Sequence, residues 1–387
     1  MIPYGRQSID QSDIDAVVAV LKSDFLTQGP AVPRFEQLVA ERCGAAHAVA
    51  VNSATSALHI GCLALDVGPG DVVWTSPITF VASANCALYC GAEANFVDID
   101  GSTGNMSVER LAQKLEQAEA VGRLPKVVIP VHLGGQSCDM AAIAELARRY
   151  RFRIIEDASH AVGATYRGEP VGRCRYSDIA VFSFHPVKII TSGEGGMALT
   201  NDPELARRMA LLRTHGVTRD AAAFDAEPDG AWYYEQQDLG FNYRITDIQA
   251  ALGASQLARL DAFVARRREL AARYDAALAG LPLIMLGEGA DAVSSYHLYI
   301  IRLDSRRNSV TRDEAYDALR VRAIGVNLHY IPVYRQPYYQ ALGFKAAEYP
   351  EAEAYYSEAI TLPLYPAMSD EQQDEVIAAV KDVLGCA

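Results

Sequence analysis

Between about residue 12 and residue 200, short β-branched runs alternate with amphipathic helical stretches, and this alternation restricts the fold more than any other feature of the chain. The runs cover residues 48–51, 72–75, 95–98, 127–131, 152–155 and 179–182. Strands joined through helices cross over and come back parallel, so the rhythm predicts a mostly parallel sheet sheathed by helices. Ligands of such sheets gather beyond the carboxyl ends of the strands, which makes the residues just after each run the first candidates for a site.

The second part of the chain has a different pattern. One long Ala/Arg/Leu helix is predicted from 246 through 278, followed by strands at 298–303 and 326–330 and helices near 311–321 and 369–384. With 387 residues the chain exceeds one small core. The expected division is a large α/β domain over 1–250 and a small α+β domain over 251–387, with a surface loop at 220–232. Half of the residues are apolar and 21 % are charged, an ordinary globular mix. A net charge of -13 repels a polyphosphate backbone and argues against a nucleic-acid partner, while a small anionic ligand in a local pocket remains compatible with it. Neither a basic-then-apolar leader nor an apolar stretch of about 18 residues is present, so no membrane partner is expected and the cytoplasm is the expected location. The seven cysteines are scattered without a C-x-x-C pair, which argues against both a disulfide framework and a zinc cage, and no metal site is expected.

Four segments follow strands at a spacing that suits one cofactor. Asn52-Ser53-Ala54-Thr55-Ser56 opens an apolar helix. The free N–H groups and hydroxyls of a helix start can seat a phosphate, and the same run also reads as a plain N-cap. The segment 154–160 sets Asp157 just past a buried strand. A carboxylate there keeps a heteroaromatic ring nitrogen protonated, as pyridoxal requires; capping the next helix or binding magnesium are its other readings. The segment 183–190 carries Lys188. Of the six lysines (Lys22, Lys114, Lys126, Lys188, Lys345 and Lys381), it alone is embedded among apolar neighbours: Pro186, Val187, Ile189 and Ile190. Burial favours the neutral amine that forms a Schiff base; alternatively the stem lies on apolar surface with its head in water. The glycine-rich run 192–196 leads into an apolar strand and not a helix, so it reads as a tight turn positioning Lys188. Finally, Phe80, after the strand at 72–75, either stacks on a flat cofactor or fills core.

With these segments in hand the chain resembles the sugar aminotransferases of the DegT/DnrJ/EryC1/StrS family over nearly its whole length. The resemblance is carried by Leu26-Thr27-Gln28-Gly29-Pro30, Asn52 to Leu58, Glu156-Asp157-Ala158-Ser159-His160, Ser183 to Lys188, Gly193 to Gly196 and Gly240-Phe241-Asn242-Tyr243-Arg244. It implies an aspartate-aminotransferase-like, fold type I transferase dependent on pyridoxal 5′-phosphate, with a large α/β/α domain and a small C-terminal α+β domain. It further implies that Lys188 holds the cofactor and serves as general base, that Asp157 pairs with the ring nitrogen, and that His160 lies near the phenolic oxygen. Ala54, Thr55 and Ser183 would hold the phosphate and Phe80 would stack on the ring. Asn242 would reach the phosphate in the other subunit of a homodimer, so that two chains share each active site.

Within the family the likeness runs to the transaminases of the pseudaminic acid pathway, on Tyr4, residues 24–28, residues 157–160 and residues 327–334. This implies glutamate as amino donor, 2-oxoglutarate as product, and the C4 ketone of a UDP-linked 4-keto-6-deoxy sugar as acceptor. Tyr4, Leu26, Thr27, His329 and Tyr330 would contact the substrate. Arg6, Arg244 and Arg335 are candidate charges for the diphosphate or the glutamate carboxylate, and Asp24 stands where a basic residue is expected. Relatives with histidine at the lysine position dehydrate sugars, so Lys188 favours transamination. A sugar dehydratase, an aminotransferase for another nucleotide-linked keto sugar, and a binding module on the same fold share the cofactor residues and stand as alternatives.

Overall fold

The computed structural model describes residues 1–386. Seven strands form one sheet in the order His47–Val51, Gly196–Thr200, Ile179–Ser183, Arg153–Asp157, Val127–Ile129, Val72–Thr75 and Glu93–Phe96. The pairings are parallel except those of Gly196–Thr200, which runs against both its neighbours.

Helices cover both faces, which explains why the strands read as continuous apolar runs instead of alternating. On one face Leu58, Ile60 and Cys62 of the helix Ala54–Ala64 pack over Ile155, Ile179 and Val181. On the other, Phe35 and Val39 meet Ala180 and Phe182, while Leu111, Leu115 and Ile143 cover Trp74, Val128 and Ile154. Successive residues of the strand Ile179–Ser183 thus face opposite cores, as the pleat requires.

The C-terminal part folds around a three-stranded antiparallel sheet of Leu283–Met285, Tyr299–Leu303 and Ala359–Leu362. Its core joins Leu270, Tyr274, Ile301, Leu319, Ile360, Val376 and Val380, and it also includes Ile2, whose N–H donates to the Ala323 carbonyl at 2.9 Å. The first residues of the chain therefore pack with the last third. Among the described residues, no helix is long and apolar enough to cross a membrane.

Two elements differ from the sequence expectation. The long helix is two helices, Asp247–Leu257 and Leu260–Leu278, parted at Ala258 and Arg259. At this break Arg259 pairs with Asp10 at 2.7 Å and with the buried Asp13, tying in the helix Gln11–Leu21. The second helix spans the two cores, with Leu260 and Phe263 in one and Leu270 to Leu278 in the other. Residues 326–330 are not a strand: only Asn327 bridges to the sheet, at Thr361. Beyond Asn327 side-chain contacts replace ladder bonds, His329 Nδ1 lying 2.8 Å from Thr361 Oγ1 and the Tyr330 hydroxyl 2.9 Å from His160.

Candidate active site

A cavity of about 440 Å³ opens at the carboxyl ends of the parallel strands, where their loops converge. Its walls include Tyr4, Ser53, Ala54, Thr55, Thr79, Phe80, Asp157, Ser159, His160, Ser183, Lys188, Glu194, His297, His329 and Tyr330.

One wall is the start of the helix Ala54–Ala64. Ser53 caps it, its hydroxyl accepting the N–H of Ser56 at 3.1 Å, which leaves the first-turn N–H groups of Ala54 and Thr55 without intrahelical partners. Gly196, the first residue of the reversed strand, closes against this turn. A Cβ there would lie 2.5 Å from the Ala54 nitrogen and from the Ser53 carbonyl, so only glycine admits the approach. Ser183 ends the strand beside it. Two N–H groups and hydroxyls at a helix start make an anion seat.

Asp157 closes the strand Arg153–Asp157. Its Oδ1 accepts the Ser159 N–H at 3.1 Å and its Oδ2 accepts the Ser83 hydroxyl at 2.6 Å. Its neighbour Glu156 lies on the opposite side of the strand and is consumed structurally, by the Ser177 hydroxyl at 2.5 Å and by His132 Nε2 at 2.8 Å.

Lys188 is half-buried in the loop between the strands Ile179–Ser183 and Gly196–Thr200. Desolvation pushes its amine down to about 8, against the opposing pull of the Asp157 carboxylate. At neutral pH roughly a tenth of the molecules then carry the free amine, enough to react. The expectation that Lys188 alone is desolvated needs correction, because burial also takes Lys114 down to about 8. Lys114 sits over the Trp74 ring and donates to Asn95 and to the Phe96 carbonyl, and it does not line the cavity.

His160 is buried with both nitrogens in use. Gly134 N–H donates to Nδ1 at 3.3 Å, and Nε2 lies 2.9 Å from the Tyr330 hydroxyl. Burial first, and then the Lys188 ammonium, drives its proton affinity far below the ordinary range, so the ring is neutral. His329 is pushed down to about 3 for the same reasons, burial first and Lys188 second.

Ten of the residues singled out from sequence thus share one cavity: Tyr4, Ala54, Thr55, Phe80, Asp157, His160, Ser183, Lys188, His329 and Tyr330. Leu26, Thr27 and Asn242 do not line it. Thr27 forms a bridge with Thr246, the Leu26 carbonyl accepts the Asp247 N–H, and Asn242 bridges to Thr214. Arg6 and Arg244 are also absent from its walls, and Arg335 is engaged by Glu353. Sequence reasoning missed His297, whose ring centre lies 4.4 Å from that of His160. Its backbone is held by the buried Arg267, whose Nη1 donates to the carbonyls of Tyr296 and His297 at 3.2 Å and of Leu364 at 2.9 Å.

Residues 7–381 match the DegT/DnrJ/EryC1/StrS aminotransferase family. The chain belongs to this family. The spore coat polysaccharide biosynthesis protein SpsC of Bacillus subtilis is 42 % identical over 386 residues, covering 99 % of this chain and 97 % of its own. Among solved structures, Spr1654 of Streptococcus pneumoniae in its PMP form superposes with a TM-score of 0.91 at 32 % identity, over 100 % of this chain and 99 % of that one. Helicobacter pylori PseC, an aminotransferase of pseudoaminic acid biosynthesis, superposes with a TM-score of 0.90 at 31 % identity over 100 % of both chains. The fold is that of the fold type I aminotransferases.

The family's cofactor is pyridoxal 5′-phosphate, and the cavity of this DegT/DnrJ/EryC1/StrS member fits it. The seat of Ala54 and Thr55, kept open by Gly196, suits the phosphate; Asp157 suits the ring nitrogen; and Lys188 is the only lysine in the wall.

Proposed function

We propose that this sugar aminotransferase family member moves the amino group of glutamate to the ketone of a nucleotide-linked keto sugar. The observation that carries the reading is the convergence, in one cavity, of a partly desolvated lysine, a hydrogen-bonded carboxylate and an open helix start. Bound pyridoxal phosphate would supply an aldehyde that takes up the amino group and an electron-withdrawing ring that delocalises the charge left at the donor's Cα. Lys188 anchors that group and carries a proton on Nζ, the one amine placed to do both. Asp157, its two oxygens fixed by Ser83 and Ser159, holds the ring proton in place. Ala54, Thr55 and Ser183 would hold the phosphate, and Phe80 would stack on the ring. His160, neutral, presents a hydrogen bond rather than a charge. Tyr4, His329 and Tyr330 form the wall left for the sugar.

The UDP-linked 4-keto-6-deoxy sugar of pseudaminic acid biosynthesis is the first acceptor to try, supported by the full-length likeness to PseC. The higher identity to SpsC makes other nucleotide-linked keto sugars the next. The working unit is a homodimer. Asn242 sits outside its own cavity, where the Asn52 amide meets its carbonyl at 3.5 Å; it follows Phe241, whose ring and that of the exposed Tyr89 (55 %) both meet His59, and lies three residues after exposed Leu239 (77 %). An apolar surface around a polar contact of this kind suits a second chain. Seven unpaired cysteines, six of them buried, suit the reducing cytoplasm.

The test is to incubate the loaded enzyme with glutamate and each candidate sugar nucleotide, and to identify the product by mass and NMR. A new amino sugar with equimolar 2-oxoglutarate, following ping-pong kinetics and lost in Lys188→Ala, supports the reading. Loss of a sugar hydroxyl without use of glutamate rejects it in favour of a dehydratase.

A further inference from the structure

Two hydroxyls outside the family motifs form a directed chain onto the central carboxylate. Thr79 Oγ1 lies 2.8 Å from Ser83 Oγ, and Ser83 Oγ lies 2.6 Å from Asp157 Oδ2. All three residues are buried, Ser83 completely. The direction follows from proton counting. A carboxylate only accepts, so Ser83 spends its single proton on Asp157, and the contact with Thr79 is then made by the Thr79 proton. Each bond polarises the next, and the chain ends on a charge, the arrangement in which such bonds are strongest.

Local structure does not explain the pair. Ser83 is the second residue of the helix Ala82–Tyr89, whose N-cap, Val81, makes no side-chain cap, and the Ser83 hydroxyl accepts from no backbone N–H. Its contact with the nearby Phe80 carbonyl is long, at 3.4 Å, whereas the short bond reaches across 74 residues to another strand. Thr79 immediately precedes Phe80, which stays 60 % exposed at the cavity wall. The chain therefore ties the loop that presents Phe80 to the carboxylate at the far end of the ring site.

We infer that Ser83 and Thr79 are positioning residues for the cofactor ring: Ser83 fixes the plane of the Asp157 carboxylate, and Thr79 locks Phe80 to the same frame. The inference rests on the proposed pyridoxal function and adds residues to it. Neither hydroxyl touches the reacting atoms; both act through Asp157 and Phe80.

The experiment compares wild type, Ser83→Ala and Thr79→Val, each loaded with pyridoxal phosphate, by titrating the absorbance of the bound cofactor against pH and by measuring its dissociation constant. Melting of the unloaded proteins is followed in parallel. Ser83→Ala is expected to move the spectral midpoint by about half a unit or more and to weaken retention about tenfold, the loss typical of one hydrogen bond to a charged group. Thr79→Val, which keeps the branched shape, is expected to shift both in the same direction by less. Unchanged midpoints and retention in both variants overturn the inference. So does a lower melting temperature with an unmoved midpoint, which marks a merely structural role. If Ser83→Ala does not fold, Thr79→Val decides alone. If wild type itself never acquires an absorbance that Lys188→Ala lacks, the pyridoxal reading fails first and the inference falls with it.

Discussion

The hydroxyl of Tyr330 lies 2.9 Å from Nε2 of His160, joining the C-terminal part of the chain to the strand end that carries Asp157. Because Gly134 donates its N–H to Nδ1, that nitrogen is the acceptor and Nε2 bears the proton given to Tyr330. The contact therefore fixes both a tautomer and the closure of the two parts over the cavity.

Tyr330→Phe should leave that N–H without its partner in a buried place. The expected loss is about 1–3 kcal/mol in transition-state stabilisation, a drop in kcat/KM of roughly 5- to 150-fold. Steady-state kinetics with glutamate and an accepted sugar check it. An unchanged kcat/KM means the contact serves neither closure nor tautomer.

The Lys188 amine, lowered to about 8 from 10.5, gives a pH dependence of known sign. Below about 8 the rate at which unloaded protein captures pyridoxal phosphate should rise about tenfold per pH unit, and above it the rate should level off, since only the free amine attacks. Between about 8 and 10.5 the unfolded chain binds more protons at this position than the folded one. The contribution of Lys188 to stability therefore grows as pH rises through that window. Melting of unloaded wild type and Lys188→Ala across the window should diverge accordingly; parallel curves would refute the shift.

Asp157→Asn keeps the shape and removes the charge. Activity should fall by about a hundredfold or more, the usual scale for losing one preorganised electrostatic partner, while unloaded protein remains folded. Kinetics and circular dichroism together distinguish this from collapse of the strand end.

Gly196→Ala would place a methyl group 2.5 Å from the Ala54 nitrogen, so the helix start must move. The effect should appear first as weaker retention of the cofactor phosphate, measured by dialysis and absorbance. Retention equal to wild type would show that the helix start does not seat it.

Arg267→Met should destabilise the protein by several kcal/mol, since about 1–3 kcal/mol attaches to each buried acceptor left unpaired and the Arg267 Nη1 serves the buried carbonyls of His297 and Leu364. Denaturant unfolding would report it. A loss under about 1 kcal/mol would mean that water takes over these bonds.

The sheet was legible because its strands are buried on both faces and so stand out as unbroken apolar runs, and Lys188 was legible because its apolar neighbours are adjacent in sequence. What escaped depends on distance in the chain. Nothing near His297 announces that it meets His160, and nothing around Ser83, set between Ala82 and Ala84, announces a partner 74 positions away at Asp157. Lys114 has no run of apolar neighbours in sequence, yet its amine lies over the ring of Trp74 from the strand Val72–Thr75. The helix break at Arg259 follows an ion pair with the first helix, invisible in local helix propensity.

The reversal of the strand Gly196–Thr200 bears on how the lysine behaves. Elsewhere in the sheet a helix carries the chain back before the next strand begins, except between Asp157 and Ile179, where the short hairpin of Thr165–Tyr166 and Glu169–Pro170 does so; here the chain turns and returns beside the strand it has just left. Both ends of the segment holding Lys188 are consequently fastened to adjacent rows of the same rigid layer. The amine can swing on its own flexible stem while its point of attachment stays put, like a door handle on a short chain anchored twice to the frame.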